Sequence, residues 1–310
     1  MNQRMQISSG IDGTSATTDQ GDGQQTQDAF SLAMATQSKL WPDVTTGHGP
    51  LEDGWRTAQQ FFEDDGAIAY LLTHERSLNE DTDAKASAAF LMTDYCHVFT
   101  AATVPLLAGF GIVADFSLQH FALKFYMEKH EHRGRIYDLP RAHVRYLSDT
   151  YFTDRNDAPL ARNAHRIDHD QLCDQYRQST ENHFHGLIER IASKTGLGRN
   201  ALWRLAGDAI AARFLEAGRQ LDCLEQAKAT AMAILKSPGS PLNNRQLHYF
   251  DLSVLDRNST QVSHTFRARG GCCRFYSVKE GKYCATCVLK NPAERDEQLQ
   301  VAMRRHLGVA

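Results

Sequence analysis

Four of the seven cysteines stand together near the C-terminus, as Cys272, Cys273, Cys284 and Cys287, in the pattern C-C-x10-C-x2-C. Four thiolates meet the ligand demand of one [2Fe–2S] or [4Fe–4S] cluster, or of one structural zinc. A zinc site usually offers two separated C-x2–4-C knuckles, because one ion must be approached tetrahedrally from two turns. Here only Cys284 and Cys287 form such a knuckle. Adjacent cysteines direct their side chains apart, which suits a centre several atoms wide better than a single ion. The spacing therefore favours an iron–sulfur cluster over zinc, and zinc over a redox disulfide. Gly270, Gly271 and Gly281 let the backbone close around a bulky group.

The charge around these cysteines is one-sided. Between Ser263 and Lys290 lie Arg267, Arg269, Arg274, Lys279, Lys282 and Lys290, against Glu280 alone. Cations here offset the negative charge of cluster thiolates and attract an anionic ligand or an acidic electron donor. The plain alternative is a solvated basic face with no further task. Arg267, Arg269, Arg274 and Lys282 are the candidate substrate-binding residues, with Arg269 and Arg274 nearest the cysteine pair in sequence.

The elements that must position this segment read as mainly α, in an α+β chain. Trp55, Phe61, Phe62, Ile68, Leu71 and Leu72 recur at helical spacing and predict one amphipathic helix to about His74. Thr82 or Asp83 can cap a second helix, from Ala84 to about Leu107. Phe116 to Leu139 suggests a β-hairpin with a polar tip at Arg133-Gly134, and Pro140 and Pro159 bracket a less regular piece. Three further helices follow. One carries Leu172, Tyr176, Phe184, Leu187, Ile188 and Ile191 to Gly196, the next ends near Gly218, and the third runs from Leu221 to Leu235. Short connections favour antiparallel neighbours packed as a bundle. Tyr249–Leu255 and Val262–Phe266 look extended and lead into the cysteines, and a last helix spans Pro292–Leu307.

Residues 1–50 are polar and acidic, with few large apolar side chains before Phe30, and predict a disordered tail. The expected organisation is this tail, a helical domain over 51–240, and a cysteine-bearing region over 241–310.

Arg269-x-x-Cys272-Cys273, the aromatic pair Phe275-Tyr276, and Cys284-x-x-Cys287 resemble the C-terminal signature of the FhuF-type ferric-siderophore reductases. Leu187-Ile188-Glu189-Arg190, Thr195-Gly196-Leu197 and Leu202-Trp203 are similar to that family's helical part. The resemblance covers roughly residues 55–290. It departs at Val288, where many relatives carry Pro, a position outside the ligand set. It implies a [2Fe–2S] cluster on the four cysteines and one-electron reduction of siderophore-bound Fe(III), with a ferredoxin-, flavodoxin- or NAD(P)H-dependent electron donor. A siderophore-binding or biosynthesis-associated module with a structural metal, or a cluster-based iron or redox sensor, are the other classes compatible with the motif.

Other signals are weaker. Gly109-Phe-Gly111 partly imitates a dinucleotide loop but lacks a preceding strand, and reads as a turn after a buried helix. His165 and His169 lie four apart, a spacing that would put them on one helix face with Asp168 or Asp170 nearby, but the stretch is polar and lacks the Glu of a zinc-protease motif. His183 and His185 face different sides of a helix. Trp203 reads as a core anchor, and Cys96, Cys173 and Cys223 as isolated packing residues.

The totals set the outer bounds. Net charge is −3 over 310 residues, with 42% hydrophobic and 23% charged, which suits a globular fold and gives no bulk attraction for nucleic acid. The apolar run Val98–Ala114 is short for a bilayer and broken by Pro105 and two glycines, so no transmembrane segment is expected, while peripheral membrane contact stays open. An odd cysteine count with no secretory signal points to a reducing, cytoplasmic setting.

Overall fold

A computed structural model describes residues 29–132, 134–156 and 162–309. The fold is mainly α with some β, as the periodicity implied. In chain order come α1 (Ala29–Leu40), β1 (Thr46–His48), β2 (Arg56–Thr57), α2 (Ala58–Glu63), α3 (Asp65–Leu78), α4 (Ala84–Phe110) and β3 (Ile112–Ala114). Then follow β4 (Phe121–His132), β5 (Arg135–Tyr146), β6 (Tyr151–Thr153), β7 (Ala164–Arg166), α5 (His169–Thr195), α6 (Arg199–Gln220) and α7 (Leu224–Leu235). The chain closes with β8 (His248–Leu255), β9 (Gln261–Ala268) and α8 (Pro292–His306).

The centre of the molecule is α4, which packs against α1, α3, α5, α6 and α7. Every residue from Val98 to Ala108 is buried, so no single amphipathic face exists. By length and hydropathy α4 passes for a membrane span, yet 78% of its apolar window is buried inside the fold. Asp83 caps its N-terminus by accepting from the N–H of Ala86 at 2.6 Å, and Gly111 closes it in the left-handed conformation. Pro105 sits inside the helix and cannot donate to the carbonyl of Ala101. That carbonyl is taken by Nε2 of Gln37, at 2.9 Å, from a side chain with no solvent exposure.

Gln37 lies on α1, within the stretch expected to be a tail. Phe30, Ala33 and Met34 are buried beside it, so the polar segment becomes structured from Ala29 onward; the rest of the tail expectation, 1–28, lies outside the described residues. The single helix expected from Trp55 is two, divided at Asp64, whose carboxylate accepts from the N–H of Ala67 at 2.9 Å and begins α3. The hairpin is present as β4 and β5, paired in register from Phe121↔Tyr146 to His132↔Arg135. It begins later than expected, at Phe121, and ends later, because β5 continues through Pro140 to Tyr146; Arg133 of its tip and Pro159 lie outside the described residues.

Among the described residues three sheets form, in the orders β1-β5-β4-β2, β3-β6-β7 and β8-β9. The main buried cluster extends from Phe30 to Leu247. Val254, Ala268, Val278 and Leu299 are buried outside it, where α8 packs on β8 beside the cysteine segment.

Candidate functional site

Helix α6 anchors the cysteine loop through one acid. Asp208 is 2% exposed and lies on the otherwise apolar stripe of α6, between Leu205 and Ala211. Its Oδ1 accepts from the N–H of Gly270 at 2.8 Å, and its Oδ2 from the N–H of Gly271 at 2.9 Å and from Nε of Arg269 at 3.3 Å. Hydrogen bonds to a charged acceptor contribute about 1.5–3 kcal/mol each, so this carboxylate is the main staple between helix and loop. The loop approaches closely because it has no side chain there. A Cβ on Gly271 would stand 2.9 Å from the backbone carbon of Arg204 in α6, and one on Gly281 only 1.8 Å from the carbonyl oxygen of Phe275.

Past this staple the thiols converge. Sγ of Cys273 is 3.5 Å from Sγ of Cys284. Two ligands of one tetrahedral metal, with bonds near 2.3 Å, stand about 3.8 Å apart, so the pair fits a shared metal atom. Arg269 spans both, with Nη1 at 3.3 Å from Sγ of Cys284 and 3.9 Å from Sγ of Cys273. The hydrogen bond from Cys284 pulls the Cys273 thiol well below its ordinary range against the effect of burial, with the Phe275 N–H and the Arg269 guanidinium assisting. The same shared contact, with burial, pushes Cys284 up. The N–H of Arg274 donates to Sγ of Cys272 at 3.4 Å, while burial raises that thiol and Cys273 and Cys287 add repulsion. Cys287 is buried, at 4% exposure. Among the described residues, no three His, Cys, Asp or Glu side chains group as ligands of a single ion. The donor set nonetheless fits a cluster: a close thiol pair, two more thiols on the same loop, N–H donors to sulfur, and a guanidinium to offset thiolate charge.

The loop reaches the surface. Phe275, Tyr276 and Tyr283 are exposed, Tyr276 and Tyr283 lie 5.2 Å apart, and Phe275 leans on Phe90 of α4 at 6.4 Å.

The four basic residues expected to meet substrate divide. Arg267 and Arg269 line a cavity of about 200 Å³ between α4, α6 and the start of the loop. Arg274 turns away to Asp83, at 3.1 Å, tying the loop to the cap of α4. Lys282 is exposed and lines no part of that cavity. The sequence reading missed Asp208 and Arg213, which line it with Thr93 and His97. A charged residue inside an apolar helical stripe was the available signal.

The histidine pair His165 and His169 shares no helix face: His165 is in β7, and His169 opens α5 with its Nδ1 2.7 Å from Asp154. Trp203 is 7% exposed in the core, as its stripe implied.

Residues 89–250 match the family model described as ferric iron reductase FhuF-like transporter. The chain belongs to the FhuF-like family. The matched stretch holds most of α4 and all of α5, α6 and α7, and with them Asp208, and it ends before the first of the four cysteines. FhuF-like membership thus bears on the scaffold, and the cysteine loop is the segment that scaffold holds. No curated protein matches the chain.

Proposed function

We propose that this FhuF-like protein is a cytoplasmic ferric-siderophore reductase holding a [2Fe–2S] cluster on Cys272, Cys273, Cys284 and Cys287. The observation that carries the reading is the thiol pair Cys273–Cys284 at 3.5 Å beneath Arg269, on a loop stapled to the family's own helices by Asp208. When bound, such a cluster passes one electron at a time to siderophore-bound Fe(III), and Fe(II) is the more labile guest of hard oxygen donors.

The chain's residues set the conditions for that transfer. Arg269 lies against two sulfurs and stabilises a negatively charged centre, while the Arg274 N–H donates to a third. Asp208 fixes Arg269 and both glycine amides, holding these donors in place. The exposed Phe275, Tyr276 and Tyr283 put the loop within reach of a donor protein, of ferredoxin or flavodoxin type or an NAD(P)H-dependent reductase.

Anaerobically purified protein tests this by visible absorption and EPR before and after dithionite, with iron and sulfide counted. About two irons and two sulfides per chain, bleaching bands and a reduced S = 1/2 signal are expected, all lost in Cys272→Ser and Cys287→Ser. A colourless protein with about one zinc would sink the cluster. Failure to reduce hydroxamate, catecholate and carboxylate ferric complexes with an intact, reducible cluster would sink the reductase and leave a sensor.

A further inference from the structure

The cavity beside the cysteine loop is built for an anion. Arg213, on α6, lines the cavity and is 5% exposed, and its buried Nε has no hydrogen-bond partner. Its other nitrogens are engaged: Nη1 donates to Glu216 at 2.8 Å, and Nη2 lies 3.0 Å from Nδ1 of His97. The guanidinium lies over the Trp41 ring at 5.5 Å, which holds its plane. Arg267, which also lines the cavity, is anchored by a hydrogen bond from Nη1 to the carbonyl of Asp208. The acids nearby are already occupied. Asp208 holds the loop amides and Arg269, Glu216 accepts from Trp41 and Arg213, and Asp43 pairs with His97 at 2.7 Å. A buried N–H with no acceptor carries a desolvation cost of about 1–3 kcal/mol, which an incoming oxygen relieves.

We propose that this cavity binds a carboxylate arm of the ferric complex, held by Arg213 and Arg267, with Arg269 forming the bridge from the bound arm to the sulfurs of Cys273 and Cys284. The proposal rests on the reductase reading and narrows it to carboxylate-bearing ferric chelates. Guanidinium forks match planar carboxylates, often in bidentate fashion. At about 200 Å³ the space admits one arm, whereas pockets enclosing a whole drug-sized ligand start near ~300 Å³, so the rest of the complex stays outside, over the loop. Ferric trihydroxamate and tricatecholate complexes without a carboxylate lack this handle.

Gallium(III) citrate, a redox-inert stand-in for the ferric complex, separates binding from reduction. Calorimetry on the anaerobically purified holoprotein is expected to show binding that weakens at least ten-fold in Arg267→Gln. Thr93→Glu, at an exposed wall position on α4, should do the same by adding a negative charge without disturbing the core. Gallium desferrioxamine B, without a carboxylate, should be unaffected by either change. Equal loss of the hydroxamate complex, unchanged citrate-complex binding in both variants, or free citrate binding as tightly as its gallium complex would overturn the proposal. Reduction of ferric chelates is followed in parallel. Full reductase activity with both variants indistinguishable from wild type removes the cavity and keeps the reductase. Variant-sensitive gallium citrate binding with no reduction of any chelate supports the cavity and removes the reductase.

Discussion

Asp208 and Glu75 are each 2% exposed, and the two acids lie on helices that pack against α4, yet their surroundings are opposite. Asp208 is saturated: two backbone amides and a guanidinium meet its two oxygens. Glu75 faces the carboxyl of Asp94 at the base of an apolar cleft lined by Phe61, Leu71 and Phe125. Its Oε1 has no partner, and Arg141, the cation that acts on it, donates its Nε to Glu128 at 3.1 Å. Burial and the neighbouring acid raise Glu75 to about 9, so it holds its proton at neutral pH. Burial alone does not set an acid's role; the donors around it decide whether it is a charged anchor or a neutral wall.

The largest effect should come from emptying the anchor. Asp208→Ala leaves Arg269 and two glycine amides without their acceptor, and breaking such a buried pair costs about 3–5 kcal/mol. Urea denaturation should show this loss, together with faster labelling of the cysteine thiols in protein stripped of metal. Stability within about 0.5 kcal/mol of wild type would mean that Asp208 is no staple. Gly271→Ala attacks the same contact from the loop side. The added Cβ meets backbone of α6 at 2.9 Å, which cannot swing aside as a side chain would. A loss of about 1–3 kcal/mol is expected, as for other overpacked sites, with the thiols again more reactive.

His183 sharpens the comparison, because it is buried and saturated yet uncharged. Its Nδ1 donates to the carbonyl of Phe116 at 2.8 Å, and its Nε2 accepts from the Tyr95 hydroxyl at 2.6 Å. Burial pushes it down from 6.5 to about 4, so the folded state binds fewer protons than the unfolded chain between those values. Its contribution is therefore complete above pH 6.5 and is lost as pH falls toward 4. Between pH 6.5 and 5 this amounts to about 2 kcal/mol, at 1.36 kcal/mol per pH unit. His183→Gln should remove that part of the acid slope; an unchanged slope would show that the ring is not held neutral.

The sequence exposed the long elements and hid the short ones. Helices from α3 to α8 repeat their apolar positions over enough turns to be read, whereas β1, β2, β3, β6 and β7 span two or three residues, too few for any period. Helix α1 escaped because its deepest anchor is Gln37, a polar residue whose value depends on a carbonyl that Pro105 frees 64 residues away in α4. The approach of Cys273 to Cys284, with Arg269 beside them, was foreshadowed by spacing and charge. Asp208 and Arg213 were not, since a charge inside an apolar stripe has meaning only once its partners on α4, on the cysteine loop and at Trp41 are in place. Lys282 shows the converse: proximity in sequence to the cysteines did not bring it to the cavity.

The smallest expected change is a gain. In the folded state Glu75 binds a proton up to about 9, whereas an unfolded Glu releases it near 4.5, so folding takes up a proton anywhere between. Wild-type stability from this site is therefore full below pH 4.5 and drains away as pH rises toward 9, opposite in sign to His183. Glu75→Gln keeps the shape and a donor toward Asp94 but removes the titration. It should match wild type near pH 4.5 and exceed it by about 1–2 kcal/mol at pH 7, less than the full linkage term because a buried amide brings its own unpaired donor. Denaturation midpoints at pH 5 and pH 8 decide the matter. A gain that grows with pH marks Glu75 as the neutral counterpart of Asp208, whereas a constant loss would mean that Glu75 is ionised and paired, and the two acids would then be alike.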